Sequence, residues 1–302
     1  MKFDLPARPP FNFLSVVRSH GWFQLAPFHF DEQTNTLHYI LKLSSGRVVD
    51  LKLREAAKGA SVEVERLNSP ERKEVTKKVT WMLGLDMDFS AFYAATQAEP
   101  RLARAKKQAL GRLLRAPTLF EDVVKTILTT NTLWATTRNM ARNLVNEFGQ
   151  PLSPEGRVAP NDNDGHTEPK AFPTPEAIAA SNPDFIKEKI RVGYRAPALH
   201  QLAVRVASGQ FDLEALKTSN LPTLELRKEL IKVNGVGPYA AANLLMILGR
   251  SDFIPIDSAA LSSVSNEWYH GKLITARQVE KRFERWGEFK GLAFWFWDWK
   301  KQ

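Results

Sequence analysis

Cysteine is absent from the 302-residue chain. That absence removes disulfides, thiolate zinc sites, cysteine nucleophiles and cysteine-ligated iron–sulfur clusters together. Histidine is scarce, and His20, His29, His38, His166, His200 and His270 stand without metal-ligand spacing, so no catalytic metal is expected. His29 and His38 are spaced to face each other across a hairpin, most simply as two neutral neighbours on a sheet. No apolar run approaches the ~20 residues of a transmembrane helix. Prolines interrupt the amino-terminal MKFDLPARPPFNFL, where a signal peptide would be continuous and apolar. The chain therefore reads as soluble and intracellular with no membrane partner, cytoplasmic and nucleoid-associated if bacterial. It carries neither an internal repeat nor coiled-coil heptads. The chemistry is left to carboxylates, hydroxyls, amines and imidazoles.

What is present is positive charge and a sizeable core. Lys and Arg total 42 against 33 Asp and Glu, a formal net charge of +9, which attracts polyanions over about a Debye length. Nucleic acid is the leading partner, although many basic proteins never bind it. A hydrophobic content of 43% builds at least one substantial core without staples, and the length suits about two domains.

Residues 22–67 read as strands. TLHYILKL places Leu37, Tyr39, Leu41 and Leu43 on one face at period two, and VVDLKL repeats the alternation with Val49, Leu51 and Leu53. Turn residues fall between these runs at Asp31 to Asn35 and at Ser44-Ser45-Gly46. From about residue 71 the spacing is helical to the end. Phe120 to Phe148 reads as two helices broken near Thr129-Thr130-Asn131, and the Pro, Asp, Asn and Gly of residues 151–175 read as a surface loop. The fold class is α+β, mostly α-helical behind an antiparallel β front.

The most informative stretch is Thr223 to Leu261. Leu226, Leu230 and Val233 stripe a first helix; Asn234-Gly235-Val236-Gly237 makes a tight hairpin; Pro238 opens a second helix striped by Ala242, Leu245, Met246 and Gly249. Two glycines at a helix start let backbone N–H groups face outward, where the helix dipole adds positive charge, and together they suit a phosphate. A helical hairpin needs a turn glycine in any case. Asp257 follows Gly237 by 20 residues, ahead of Ser258-Ala259-Ala260-Leu261, where it serves as a helix N-cap, as a functional carboxylate, or as both.

This stretch resembles the helix-hairpin-helix signature of base-excision DNA glycosylases, in which a catalytic aspartate follows the hairpin at about this distance. FEDVVKTILTTNTLWATTRNMARNLVNEFG at 120–149 is similar to the family's central helix pair, AFPTPEAIA at 171–179 to its loop leading into a helix, and Gly193-Tyr194-Arg195-Ala196 to its wedging turn. Trp286 and Trp295, nine apart, repeat a tryptophan spacing of the alkyl-base enzymes. The resemblance covers residues 110–302 well and the front sheet loosely. It implies a β domain at 1–70, a helical domain of 71–115 with 253–302, and a second helical domain at 116–252 holding the helix-hairpin-helix at 223–250.

The resemblance also assigns roles. Asp257 is the catalytic carboxylate that stabilises the oxocarbenium-like sugar. Tyr239 and Trp295 line the base pocket, Tyr194 is the wedge, Asn131 fills the gap left by the flipped nucleotide, and Arg195 reaches the partner base. Asn234, Gly235, Val236 and Gly237 hold a phosphate. A structural Na+ or K+ on the main-chain carbonyls of Ile231, Val233 and Val236 is the only cofactor implied. Bland readings stand beside these: Trp295 within FWFWDW as core, Tyr194 packing a helix start, Arg195 as a solvated charge. Bifunctional members carry a lysine two residues after the second hairpin glycine; here that position is Tyr239, so base removal without strand scission is expected. The expected function is a monomeric, monofunctional glycosylase acting on double-stranded DNA that contains a damaged base, first an alkylated purine. Alternatives are an 8-oxoguanine or mismatch-thymine glycosylase, a non-catalytic damaged-DNA binder, or a helical scaffold that holds another protein through the 151–175 loop.

Overall fold

A computed structural model describes residues 1–153 and 168–299. Five strands, β1 (Lys2–Pro6), β2 (Phe28–Asp31), β3 (Thr36–Lys42), β4 (Val48–Ala56) and β5 (Gly59–Glu63), form one antiparallel sheet in the order β1-β5-β4-β3-β2. The alternation read from the sequence sets its buried face. Leu37, Tyr39 and Leu41 stand opposite Leu53, Leu51 and Val49, and all are buried. The turn between β2 and β3 is held by Asp31, whose carboxylate accepts from the amides of Gln33 and Thr34 at 2.8 and 3.3 Å. His29 does face His38, at 5.9 Å between rings, and His38 also lies 3.2 Å from Asp50.

Two corrections concern the front of the chain. Strand structure begins at Lys2 rather than residue 22: β1 pairs with β5 at the sheet edge, and its terminal Pro6 is tolerated because edge strands leave one side of the ladder open. Helical turns, by contrast, occupy two short stretches ahead of β2, α1 (Phe13–Val17), capped by Asn12, and a 3-10 turn at Gly21–Gln24.

The helices that follow are α2 (Ser69–Leu83), α3 (Ser90–Thr96), α4 (Arg104–Lys107), α5 (Leu119–Thr129), α6 (Trp134–Phe148), α7 (Pro175–Ala179) and α8 (Pro183–Phe185). After a π-helical turn at Ile186–Ile190 come α9 (Ala196–Ala207), α10 (Thr223–Ile231), α11 (Pro238–Ile247), α12 (Ser258–Trp268), α13 (Ala276–Phe283) and α14 (Lys290–Trp295). The expected break between α5 and α6 is present, and Asn131 turns it with φ of 45°. Of the surface loop expected at 151–175, residues 154–167 lie outside the described residues, as does His166. Its described ends are paired through Pro151 and Lys170.

Two apolar clusters hold the chain. The larger joins the sheet to α2, α5, α6, α9, α10 and α11. The smaller is rich in aromatic rings and joins residues 89–113 to the last three helices, with Phe283, Trp286, Phe294 and Trp297 buried in it. Helix α5 is buried from Leu119 to Leu128, polar residues included. Buried charge is stable only when paired: Lys125 Nζ donates to Glu121 at 2.6 Å, and the Tyr39 hydroxyl donates to the same carboxylate at 2.5 Å, which ties the sheet to α5.

The stripe expected on α11 is a correction too. Ala240, Ala241, Ala242, Leu244, Leu245, Met246 and Ile247 are all buried, because the helix runs between both clusters. A helix buried all round lacks a one-sided apolar stripe.

Candidate active site

Helix termini bring the site together. A groove of about 910 Å³ is lined by Thr130 and Asn131 at the α5–α6 break, Tyr194 and Arg195 ahead of α9, the hairpin Asn234 to Gly237, Tyr239 of α11, and Asp257. Beside it lies a smaller cavity of about 260 Å³, which shares Thr129, Thr132, Tyr239 and Asp257 with the groove and adds His20, Trp22, Trp134, Asn243 and Trp295. Asp257 and Tyr239 therefore stand where the open groove meets the aromatic pocket.

Asp257 caps α12, its Oδ1 accepting from the Ala260 amide at 2.7 Å. The cap fixes the carboxylate in place and leaves its second oxygen for other work. Tyr239 is half-buried, and burial first, then the Asp257 charge, raises its phenol above the usual value. It is a neutral group at physiological pH.

The hairpin's two glycines have different reasons. Gly235 has φ of 87°, in the left-handed region, and a Cβ there would press on Ala198 and Ile127 at 3.3 Å. Gly237 has φ of −87°, open to any residue, and a Cβ would meet nothing within 4 Å. The fold explains the first glycine. It leaves the second, at the α11 N-terminus, facing open space in the groove.

Across the groove, Tyr194 is 66% exposed and so does not pack a helix start. Asn131 Nδ2 donates to its hydroxyl at 3.4 Å. Arg195 is only 7% exposed, which overturns its reading as a solvated charge. Its guanidinium donates to the carbonyls of Thr130, Asn131 and Val192, bracing the Asn131 turn against the Tyr194 turn.

At the carboxyl end the FWFWDW run divides. Phe294, Phe296 and Trp297 are core, whereas Trp295 is partly exposed in the pocket, with its indole N–H donated to Ser19 O at 2.9 Å. Trp286 is buried against Phe283 and Trp297. Sequence reading missed the pocket's far wall, His20-Gly21-Trp22. The only signal there is an exposed-looking glycine between two rings, and nothing local connects it to residues 113–137 or 295.

Among the described residues, no group of three or more His, Asp or Glu is placed to hold a metal ion, and no helix is long and apolar enough to cross a membrane.

The fold has known counterparts. A 3-methyladenine DNA glycosylase from Archaeoglobus fulgidus superposes with a TM-score of 0.74 over 98% of this chain and 96% of its own, at 19% identity. The Clostridium acetobutylicum 8-oxoguanine glycosylase/lyase gives 0.70 over 95% and 91%, at 20% identity. At such identities the likeness is one of fold. The Bacillus subtilis (strain 168) DNA-3-methyladenine glycosylase is 27% identical over 193 residues, 63% of this chain, and the match spans 60% of that relative's length. Residues 124–289, more than half of the chain, match the family described as HhH-GPD superfamily base excision DNA repair protein, and the chain belongs to that superfamily.

Proposed function

We propose that the protein is a monofunctional DNA glycosylase that flips an alkylated purine out of duplex DNA and hydrolyses its N-glycosidic bond. One observation carries this reading: Asp257 stands at the junction of an open groove of about 910 Å³ and an aromatic pocket of about 260 Å³. Flipping costs a few kcal/mol for unstacking. In this reading Tyr194 wedges the duplex, Asn131 fills the vacated space, and Arg195 holds the two turns in register. The hairpin N–H groups and the unfilled space at Gly237 receive a phosphate. The protein acts as a monomer, because one copy carries the groove, the pocket and the carboxylate.

In the pocket, faces of Trp22, Trp134, Trp295 and Tyr239 favour a cationic alkylated base by roughly 0.5–2 kcal/mol. As the C–N bond breaks, the bonding pair leaves with the base, and the alkylated purine departs neutral. The positive charge passes to the sugar, where the Asp257 carboxylate stabilises it. Water then adds to the sugar carbon and its proton passes to solvent or to Asp257. The monofunctional reading is supported by the lining of the two cavities, which includes no lysine among the described residues, a Schiff base needing an amine.

The carbonyls of Ile231, Val233 and Val236 are the residues that would hold a monovalent cation. Val233 O accepts the Val236 amide at 3.0 Å and keeps one lone pair. Neutral carbonyl oxygens suit Na+ or K+, whose charge would reinforce the hairpin toward a phosphate.

The test is single-turnover base release from duplexes that each carry one lesion: an alkylated adenine, hypoxanthine, 8-oxoguanine opposite cytosine, uracil, or thymine opposite guanine. Alkali-dependent strand cleavage with the alkylated adenine is expected, lowered about 100- to 1000-fold by Asp257→Asn. Tight salt-sensitive binding without release of any base would replace this reading with a non-catalytic damage binder.

A further inference from the structure

The three tryptophans of the small pocket have spent their indole N–H donors on the protein. Trp22 Nε1 donates to Asp122 Oδ1 at 2.7 Å, Trp134 Nε1 to Gln24 Oε1 at 2.7 Å, and Trp295 Nε1 to Ser19 O at 2.9 Å. The three indoles therefore offer a base rings and edges but no hydrogen bonds. His20 stands among them, 4.6 Å from Trp22 and 6.3 Å from Trp295 by ring centroid. Its Nε2 lies 2.6 Å from Leu114 O. A carbonyl only accepts, so Nε2 carries the hydrogen. Burial holds the imidazolium form off, lowering the pKa to about 4, and a neutral ring bonded in this way leaves Nδ1 with a lone pair. Among the described residues that atom has no hydrogen-bond partner. The bond to Leu114 O and the Trp22 edge hold the ring in place, and Trp134 closes directly over the next residue, Gly21, where a Cβ would meet the indole at 2.2 Å.

Resting on the alkylated-purine reading above, we propose that His20 is the specificity-determining residue of the pocket, its Nδ1 accepting a hydrogen bond from the exocyclic 6-amino group of the flipped purine. A 6-oxo purine brings a carbonyl to the same atom, lone pair against lone pair. A site whose acceptor is left unpaired rejects the analogue more strongly than a shape mismatch does. The pocket therefore favours adenine-type over guanine-type alkylated bases.

The test uses DNA methylated with a simple labelled alkylating agent, from which released 3-methyladenine and 3-methylguanine are separated by chromatography. The two bases share the methyl position and the labile bond, and their ratio within one reaction cancels differences in protein concentration. The wild type is expected to favour 3-methyladenine, and His20→Phe and His20→Leu, which lack the acceptor, are expected to reduce the ratio about tenfold. His20→Asn, which returns an acceptor near the Nδ1 position, is expected to keep most of it. A ratio unmoved in both acceptor-less variants, or lost in His20→Asn as fully as in them, overturns the assignment while leaving the glycosylase reading intact. A wild type that releases neither base overturns both.

Discussion

Two titrating side chains, one in the pocket wall and one behind it, pull stability in opposite directions. Asp122 is buried on α5, where its Oδ1 accepts from Trp22 at 2.7 Å and from the Ala116 amide at 3.0 Å, while its Oδ2 has no partner. Burial outweighs those bonds and the Lys125 charge, and raises its pKa from 3.8 to about 7. His20 moves the other way, from 6.5 to about 4. A raised folded pKa contributes stability that is complete below 3.8 and lost as pH rises through about 7. A lowered one contributes stability that is complete above 6.5 and lost as pH falls through about 4. The shifts amount to on the order of 3–4 kcal/mol each, and between pH 4 and 6.5 the two slopes oppose each other. Asp122→Asn is expected to unmask the acid-side loss from His20, while His20→Phe is expected to unmask a rise in stability on acidification from pH 7. Urea midpoints taken across that range test this, and parallel profiles in wild type and both variants would refute it.

At the scale of elements, the hairpin between α10 and α11 separates folding from binding. Gly235→Ala forces a side chain into a left-handed backbone and against Ala198 and Ile127, at a cost of about 1–2 kcal/mol or more in stability. Gly237→Ala has ordinary backbone angles and open space around it, so stability should change by less than about 1 kcal/mol. Its methyl group would occupy the approach to the α11 N-terminus. Duplex affinity should therefore fall in Gly237→Ala at nearly unchanged thermal stability; equal affinity would remove the hairpin from the interface. This element was legible because its signals are local: glycine where φ is positive, proline at the first helical position, an aspartate at the next N-cap. The stripe on α11 was not legible, because seven buried residues among the eight from Ala240 to Ile247 reflect packing on two sides and no periodicity records that.

At the scale of the molecule, the sequence revealed what lies close along the chain and hid what meets only in space. The sheet's alternating face, the α5–α6 break, Asp257 and Tyr239 could all be read from short windows. His20 and Trp22 could not, since their neighbours are at residues 113–137 and 295. The bracing contacts of Arg195 were not legible, because the carbonyls of the α5–α6 break that it binds lie some 65 residues earlier in the chain. Net charge is the one global property the sequence supplied directly, +9 over 302 residues. Its placement matters more than its size. Lys187, Lys189 and Arg191 are exposed immediately ahead of Tyr194, so a duplex seated in the groove brings phosphates toward them. Binding to phosphates releases counterions, and log affinity then falls with log salt at about −0.9 per phosphate neutralised. The wild type should show a slope of several units, and Lys187→Ala with Lys189→Ala should flatten it by about one to two units, weakening damaged and undamaged duplexes alike. A slope unchanged in the double variant would move the phosphate track away from this turn. A flat response in the wild type would end the nucleic-acid reading of the groove altogether.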